Sequence, residues 1–247
     1  MSRLYTFAAI LFLALHGYAS RGASAQSIDR AQLETELSTL RARMKEVEKQ
    51  FLSPAPEDRA AFASFLQQSG TGIIRLLPRE KFDGILQTRG GGAYYSFTRL
   101  THEYGYGSDI ELQQGNLSVG FAGADFGLLT MLGDVSLDDL TLEHPTVEYL
   151  SNFKTPTKEN EARTQKRQLD SGVTVNEVSY KRHLPALVDK TYVLRSINYG
   201  EGDILVAFRV VRRETDGSLV ILWKTLKKYP VPSLERSNAV AATAAGN

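Results

Sequence analysis

The spacing of apolar residues changes once along this chain, at Gly70 and Gly72, and that change limits the fold more than any other feature. Before it, Leu33, Leu37, Leu40, Met44, Val47 and Phe51 recur at alternating steps of four and three, the period of one helix face. After it, short apolar runs alternate with polar residues between glycine-bearing turns, the period of strands. Helix first and strands afterwards predicts an α+β protein, with a helical arm over 26–70 and a predominantly antiparallel β body over 71–235. The chain has no cysteine, so no disulfide framework is available and stability must come from ordinary burial.

Within the arm, Ser27 to Phe51 is rich in Glu, Gln, Arg, Leu and Ala. Its seam covers about three heptads, the lower limit of a coiled coil, and serves equally a homodimer contact or a helix packed on its own domain. Glu36, Arg41, Arg43 and Lys45 give the helix a solvated face in either case. Ser53-Pro54-Ala55-Pro56 stops it, because proline has no amide donor and disfavours helical angles in the residue before it. Pro56 also suits the first position of a second helix. Glu57 and Asp58 complement its dipole, and Ala61, Phe62, Phe65 and Leu66 form its apolar face.

In the body, Ile73 to Leu77, Ile85 to Arg89 and Ala93 to Leu100 read as strands. Asp109 to Gln114 and Leu117 to Ala122 flank Gly115-Asn116 as a tight hairpin, with Leu112 expected opposite Val119 and Ile110 opposite Phe121. Thr191 to Asn198, Ile204 to Arg213 and Leu219 to Lys228 read as a three-stranded meander, in which Val210 would oppose Trp223 and Val211 would oppose Leu222. Trp223, the only tryptophan, is expected in the core. A helical insert is expected over 136–169, with a capping box at Ser136 and Asp139, a turn of helix at Val147, Leu150 and Phe153, and a solvated stretch from Lys158 to Gln168. The small-residue tail 236–247 reads as disordered.

The first 25 residues read as a cleaved signal peptide: Arg3 precedes 17 uncharged residues, Leu4 to Ser20, and Ala23-Ser24-Ala25 makes the cleavage site. A spanning helix needs about 20 apolar residues, and no later stretch reaches that length, so no transmembrane segment is expected after cleavage. The protein is therefore expected in the periplasm or the medium. Removing Arg3 and Arg21 leaves 27 basic against 28 acidic side chains, a net charge of −1 that gives no support to nucleic-acid binding.

The most unusual segment is 89–109, where Gly90, Gly91, Gly92, Gly105 and Gly107 bracket Tyr94, Tyr95, Phe97, Arg99, His102, Glu103, Tyr104 and Tyr106. Glycines permit sharp turns, and exposed tyrosines offer flat amphipathic surfaces for sugar rings or protein partners. Tyr94, Tyr95, Arg99, Tyr104 and Tyr106 are thus candidate ligand contacts, and His102, Glu103 and Asp109 candidate acid–base groups. The structural alternative is a glycine bend, a strand and a tight turn.

Several chemistries lack their usual signs. The triple glycine has no following Gly-Lys-Ser/Thr and enters a strand, so it is not a phosphate loop. His102-Glu103 lacks the second histidine of a zinc-protease helix, and no Gly-x-Ser-x-Gly elbow occurs. His144 and His183 lie in loop-like contexts as ordinary surface residues. No metal or cofactor is expected. The sequence is best read as an exported, non-catalytic envelope or extracellular protein that binds a protein or glycan partner. The alternatives are a hydrolase or lyase acting on an extracellular polymer and a homo-oligomeric scaffold.

Overall fold

The computed structural model describes residues 29–105 and 107–235. The expected signal peptide, the tail and Tyr106 lie outside the described residues. Chain contacts divide the protein into one unit ending at Ala42 and a second beginning at Arg43, so the division falls inside the first helix.

That helix, α1 (Arg30–Phe51), is capped by Asp29, whose carboxylate accepts from the amides of Ala31 at 3.0 Å and Gln32 at 3.3 Å. Its residues 30–42, the described helical part of the first unit, are exposed throughout. The second unit contains the rest of α1 and all other elements. After the proline corner come α2 (Pro56–Ala61), with Pro56 in its first turn, and α3 (Ala63–Leu66). They are followed by β1 (Thr71–Leu76), α4 (Arg79–Phe82), β2 (Tyr94–Tyr95), β3 (Ile110–Gln113), β4 (Asn116–Ser118) and β5 (Phe126–Gly133). Next are α5 (Pro145–Asn152), α6 (Glu159–Ser171), β6 (Val173–Val175), β7 (Val178–Tyr180) and β8 (His183–Pro185). The meander β9 (Lys190–Asn198), β10 (Gly202–Arg213) and β11 (Leu219–Tyr229) completes the described chain.

The expected meander is the centre of a five-stranded antiparallel sheet of order β1-β11-β10-β9-β5. Alternation along its strands feeds two cores. Ile204, Val206, Phe208 and Val210 face one way with Ile221 and Trp223. They meet Tyr95, Ile110, Leu112 and Leu117 from the smaller sheet of order β2-β3-β4-β8, with Phe97 and Val119 just beyond its strands. Leu205 and Ala207 face the other way with Val193, Val220 and Leu222. They are covered by Phe65 of α3, Val147 and Leu150 of α5, and Ala162 and Leu169 of α6. A sheet buried on both faces explains why the central strands are apolar at consecutive positions.

Several local expectations are corrected. The two turn residues of the β3–β4 hairpin are Gln114 and Gly115, at φ 48° and 74°, and not Gly115-Asn116. Both central residues of this turn type need positive φ, and the Asn116 side-chain amide closes the turn by donating to the Gln114 carbonyl at 3.1 Å. Leu112 therefore faces Leu117. The slip keeps Ile110, Leu112, Leu117 and Val119 in one core, while Phe121 falls outside the strand and packs on Tyr94.

The β10–β11 turn is three residues, 215–217, closed by Glu214 and Ser218, and not Asp216-Gly217; with an irregularity between Val210 and Arg212 it moves the register, so Phe208 opposes Trp223 and Val210 opposes Ile221. Ile85 to Arg89 is irregular, and only Tyr94–Tyr95 and a Ser96–Thr101 bridge remain of the strand expected over 93–100. Ser136 makes no capping box; its hydroxyl accepts from the Asp138 amide at 3.2 Å in a turn. Trp223 is in the core, as expected.

Candidate functional site

The 89–109 segment begins with three consecutive left-handed glycines, Gly90, Gly91 and Gly92, at φ 79°, 60° and 73°. They fold the chain back so that the Gly92 carbonyl accepts from the Leu77 amide at 3.1 Å. A side chain at Gly91 would collide with main-chain atoms of Phe82 and Asp83, so the close approach requires glycine as much as the dihedral angle does.

Beyond this bend Tyr94 and Tyr95 turn inward. Tyr94 is buried against Tyr104 at a ring separation of 4.4 Å and against Phe121 at 5.2 Å, with the Arg79 guanidinium over its ring. Burial, with Glu111 beside it, holds the Tyr94 hydroxyl protonated well above the usual phenol range. Tyr95 packs edge-on against Phe97 and His102, and burial pushes its hydroxyl up to about 12. Neither ring is available as a stacking platform.

The acid–base candidates face different partners. His102 Nε2 lies 2.9 Å from the Arg75 carbonyl, which can only accept, so Nε2 carries the proton; burial depresses this imidazole to about 4. Glu103 accepts from the Arg89 amide at 3.1 Å and lies 3.8 Å from the Arg89 guanidinium. Asp109 is buried, and its Oδ2 accepts from the Phe97 amide at 2.7 Å while its Oδ1 accepts from Asn198 Nδ2 at 3.0 Å. Burial lifts the Asp109 carboxyl to about 6 against the opposing pull of the Ser196 hydroxyl and the Phe97 and Thr98 amides. No hydrogen bond joins any two of His102, Glu103 and Asp109 among the described residues, so they do not form a proton-transfer pair in this structure. Asp109 also explains the short β2. Its carboxylate takes the Phe97 amide that a longer strand would have offered to a neighbour.

The segment exposes the Arg89–Glu103 pair and its tip. Thr98, Arg99 and Leu100 are exposed, and Arg99 forms an ion pair with Glu201. Leu100 is 62% exposed and sits at φ 54°, a backbone region that branched and bulky side chains rarely occupy.

Clefts among the described residues of the second unit include two away from this segment. One of about 420 Å³ is lined by Thr130, Met131, Val135, His144, Glu177 and Leu184. There His144, expected as a plain surface residue, has its Nδ1 buried without a hydrogen-bond partner. The other, about 450 Å³, lies between Phe62, Phe65 and the Asp134–Arg209 ion pair at 2.7 Å. Among the described residues, no group of three or more His, Asp or Glu side chains is placed to hold a metal ion, and no helix is long and apolar enough to cross a membrane.

Three other well-partnered buried polar groups were not singled out from the sequence. Arg195 donates to both oxygens of Asp203 at 2.9 Å and to the carbonyls of Leu150 and Phe153 at 2.8 and 2.7 Å, with its guanidinium 3.8 Å from the Tyr229 ring centre. Glu48 near the end of α1 accepts from the Gln87 amide at 2.5 Å and from the Thr88 amide and hydroxyl at 3.0 Å. Arg75 on β1 pairs with Glu214 at 2.5 Å and Asp216 at 2.6 Å. Each brings together residues far apart in the chain, and no spacing rule announces such a meeting. No protein-family model, curated protein or solved structure matches this chain.

Proposed function

We propose that this is an exported protein of the envelope or extracellular space that acts by binding a partner, protein or glycan, and not by catalysis. The observation that carries the reading is the seam of α1: Leu33, Leu37, Leu40, Met44, Val47 and Phe51 are each 38–57% exposed on one helix. Large apolar side chains gathered on one exposed face mark an interaction surface more often than scattered ones do. The engagement of His102, Glu103 and Asp109 in holding the 89–109 segment also favours binding over turnover. In that segment Tyr94 and Tyr95 are buried, and the contact surface we assign is the exposed tip at Arg99 and Leu100.

Immobilised protein exposed to envelope proteins and soluble glycans tests the reading, with Leu100→Asp and Leu37→Asp variants beside it. Retention of a defined protein or glycan that either variant loses is the expected result. Equal behaviour of all three proteins toward every fraction overturns it. A second reading, self-association, is favoured by the heptad order of the same seam.

A further inference from the structure

Resting on the self-association reading, we infer that α1 pairs with α1 of a second copy of this chain in antiparallel orientation, centred between Ser38 and Thr39. The heptad assignment follows from the exposed seam. Leu37, Met44 and Phe51 occupy one core position, and Leu33, Leu40 and Val47 the other. The flanking positions are then Glu34, Arg41 and Glu48 on one side of the seam and Asp29, Glu36, Arg43 and Gln50 on the other.

These flanking charges select the orientation. In a parallel pair, Asp29 of one helix would meet Glu34 of the other, two like charges. Glu36 would meet Arg41, and Arg43 would meet Glu48. The last contact is already lost, because the Glu48 carboxylate is buried and accepts from Gln87 and Thr88 within its own chain. In an antiparallel pair, Leu37 meets Leu40 and Leu33 meets Met44, each twice. Glu36 then faces Arg43 and Glu34 faces Arg41, again each twice. Every contact between charged flanking residues in this register joins opposite signs.

None of Glu34, Glu36, Arg41 and Arg43 has an ion-pair partner among the described residues, and all four are exposed. The end of the seam is also engaged differently from its start. The Phe51 ring lies 5.4 Å from Phe82 and 4.7 Å under the Arg75 guanidinium. Parallel pairing would use a Phe51 layer, whereas the antiparallel register leaves Phe51 to those contacts. The partner that fits is therefore a second α1, of the same length and opposite direction, with its acidic and basic ends reversed.

Sedimentation equilibrium of the purified protein over a concentration series, with charge variants, tests the inference. A dimer with a dissociation constant of about 1–100 µM is expected for so short a seam. Leu37→Asp should abolish it while leaving thermal unfolding of the body unchanged, since Leu37 is 51% exposed. Glu36→Arg should weaken the dimer about tenfold, and Glu36→Arg with Arg43→Glu should restore it, because the swapped charges again face one another. In a parallel pair the double variant would stay weak, since the positive charge introduced by Glu36→Arg would still meet Arg41.

A protein that is monomeric throughout overturns the inference and the self-association reading together. A dimer lost in Leu37→Asp but not restored by the charge swap overturns the antiparallel register alone.

Discussion

Replacing Asp109 by asparagine should change how stability depends on pH, and the sign follows from the site. A carboxyl whose pKa is about 6 in the folded chain and 3.8 as a free side chain binds its proton more tightly when folded. The stability this provides is complete below about pH 3.8 and is lost as the pH rises through 6. A shift of about two units corresponds to about 3 kcal/mol. Asparagine cannot ionise, so the difference in unfolding free energy between variant and wild type should move about 2.4 kcal/mol in favour of the variant from pH 4 to pH 7. Urea unfolding at half-unit pH steps measures that difference directly, provided the slope with denaturant is unchanged.

His102 makes the test sharper because it acts in the opposite direction over the same range. Its folded pKa of about 4 lies below the ordinary 6.5, so its contribution is present above pH 6.5 and is lost as the pH falls through 4. In the wild type the two terms largely offset one another. His102→Gln should therefore gain on the wild type with acidification, by up to about 3 kcal/mol, while Asp109→Asn loses ground. A variant-minus-wild-type difference that is flat with pH for Asp109→Asn, or of the opposite sign, would refute the reasoning about its burial.

Arg195→Met should cost about 3–5 kcal/mol in urea unfolding, because it leaves the buried Asp203 without its cation. The double variant with Asp203→Leu should recover most of that loss; a double variant no better than the single one would show that the bonds to Leu150 and Phe153 dominate. Gly91→Ala should cost clearly more than Gly84→Ala. Both residues have positive φ, worth about 1 kcal/mol each, yet only Gly91 has main-chain atoms in the way of a Cβ. Equal unfolding midpoints would remove the close approach at Phe82 from the account.

The α+β order, the proline corner and the meander were legible because they depend on period and on local turn chemistry. Registers were less legible. The β3–β4 turn slipped by one residue because glycine at either central position satisfies the same pattern, and only the backbone angle of Gln114 decides between them. The β10–β11 register was unreadable because the turn takes in Thr215 as well as Asp216-Gly217, and because the irregularity near Val211 leaves no mark in an apolar run. The candidate site was legible as an unusual segment, but not in its consequence. Tyrosines beside glycines look the same in sequence whether they face solvent or pack on Arg79 and Phe121. The fate of Glu48, one charge among many on an ordinary-looking helix, depends on a loop about forty residues away meeting it.

The sheet order also fixes when the body can form. Its three central strands are the last ones in the described chain, and β1, the earliest, has β11, the latest, as its only strand partner among the described residues. A chain that emerges from its N-terminus, whether from a ribosome or through a membrane pore, must hold residues 71–189 without a completed core until the stretch 190–229 arrives. Until then Ile73, Ile74 and Leu76 have no strand to pair with, and both hydrophobic clusters lack their shared wall. Loss of the last strand would therefore leave no smaller version of the body, only an unfinished one with a long apolar edge open to other chains.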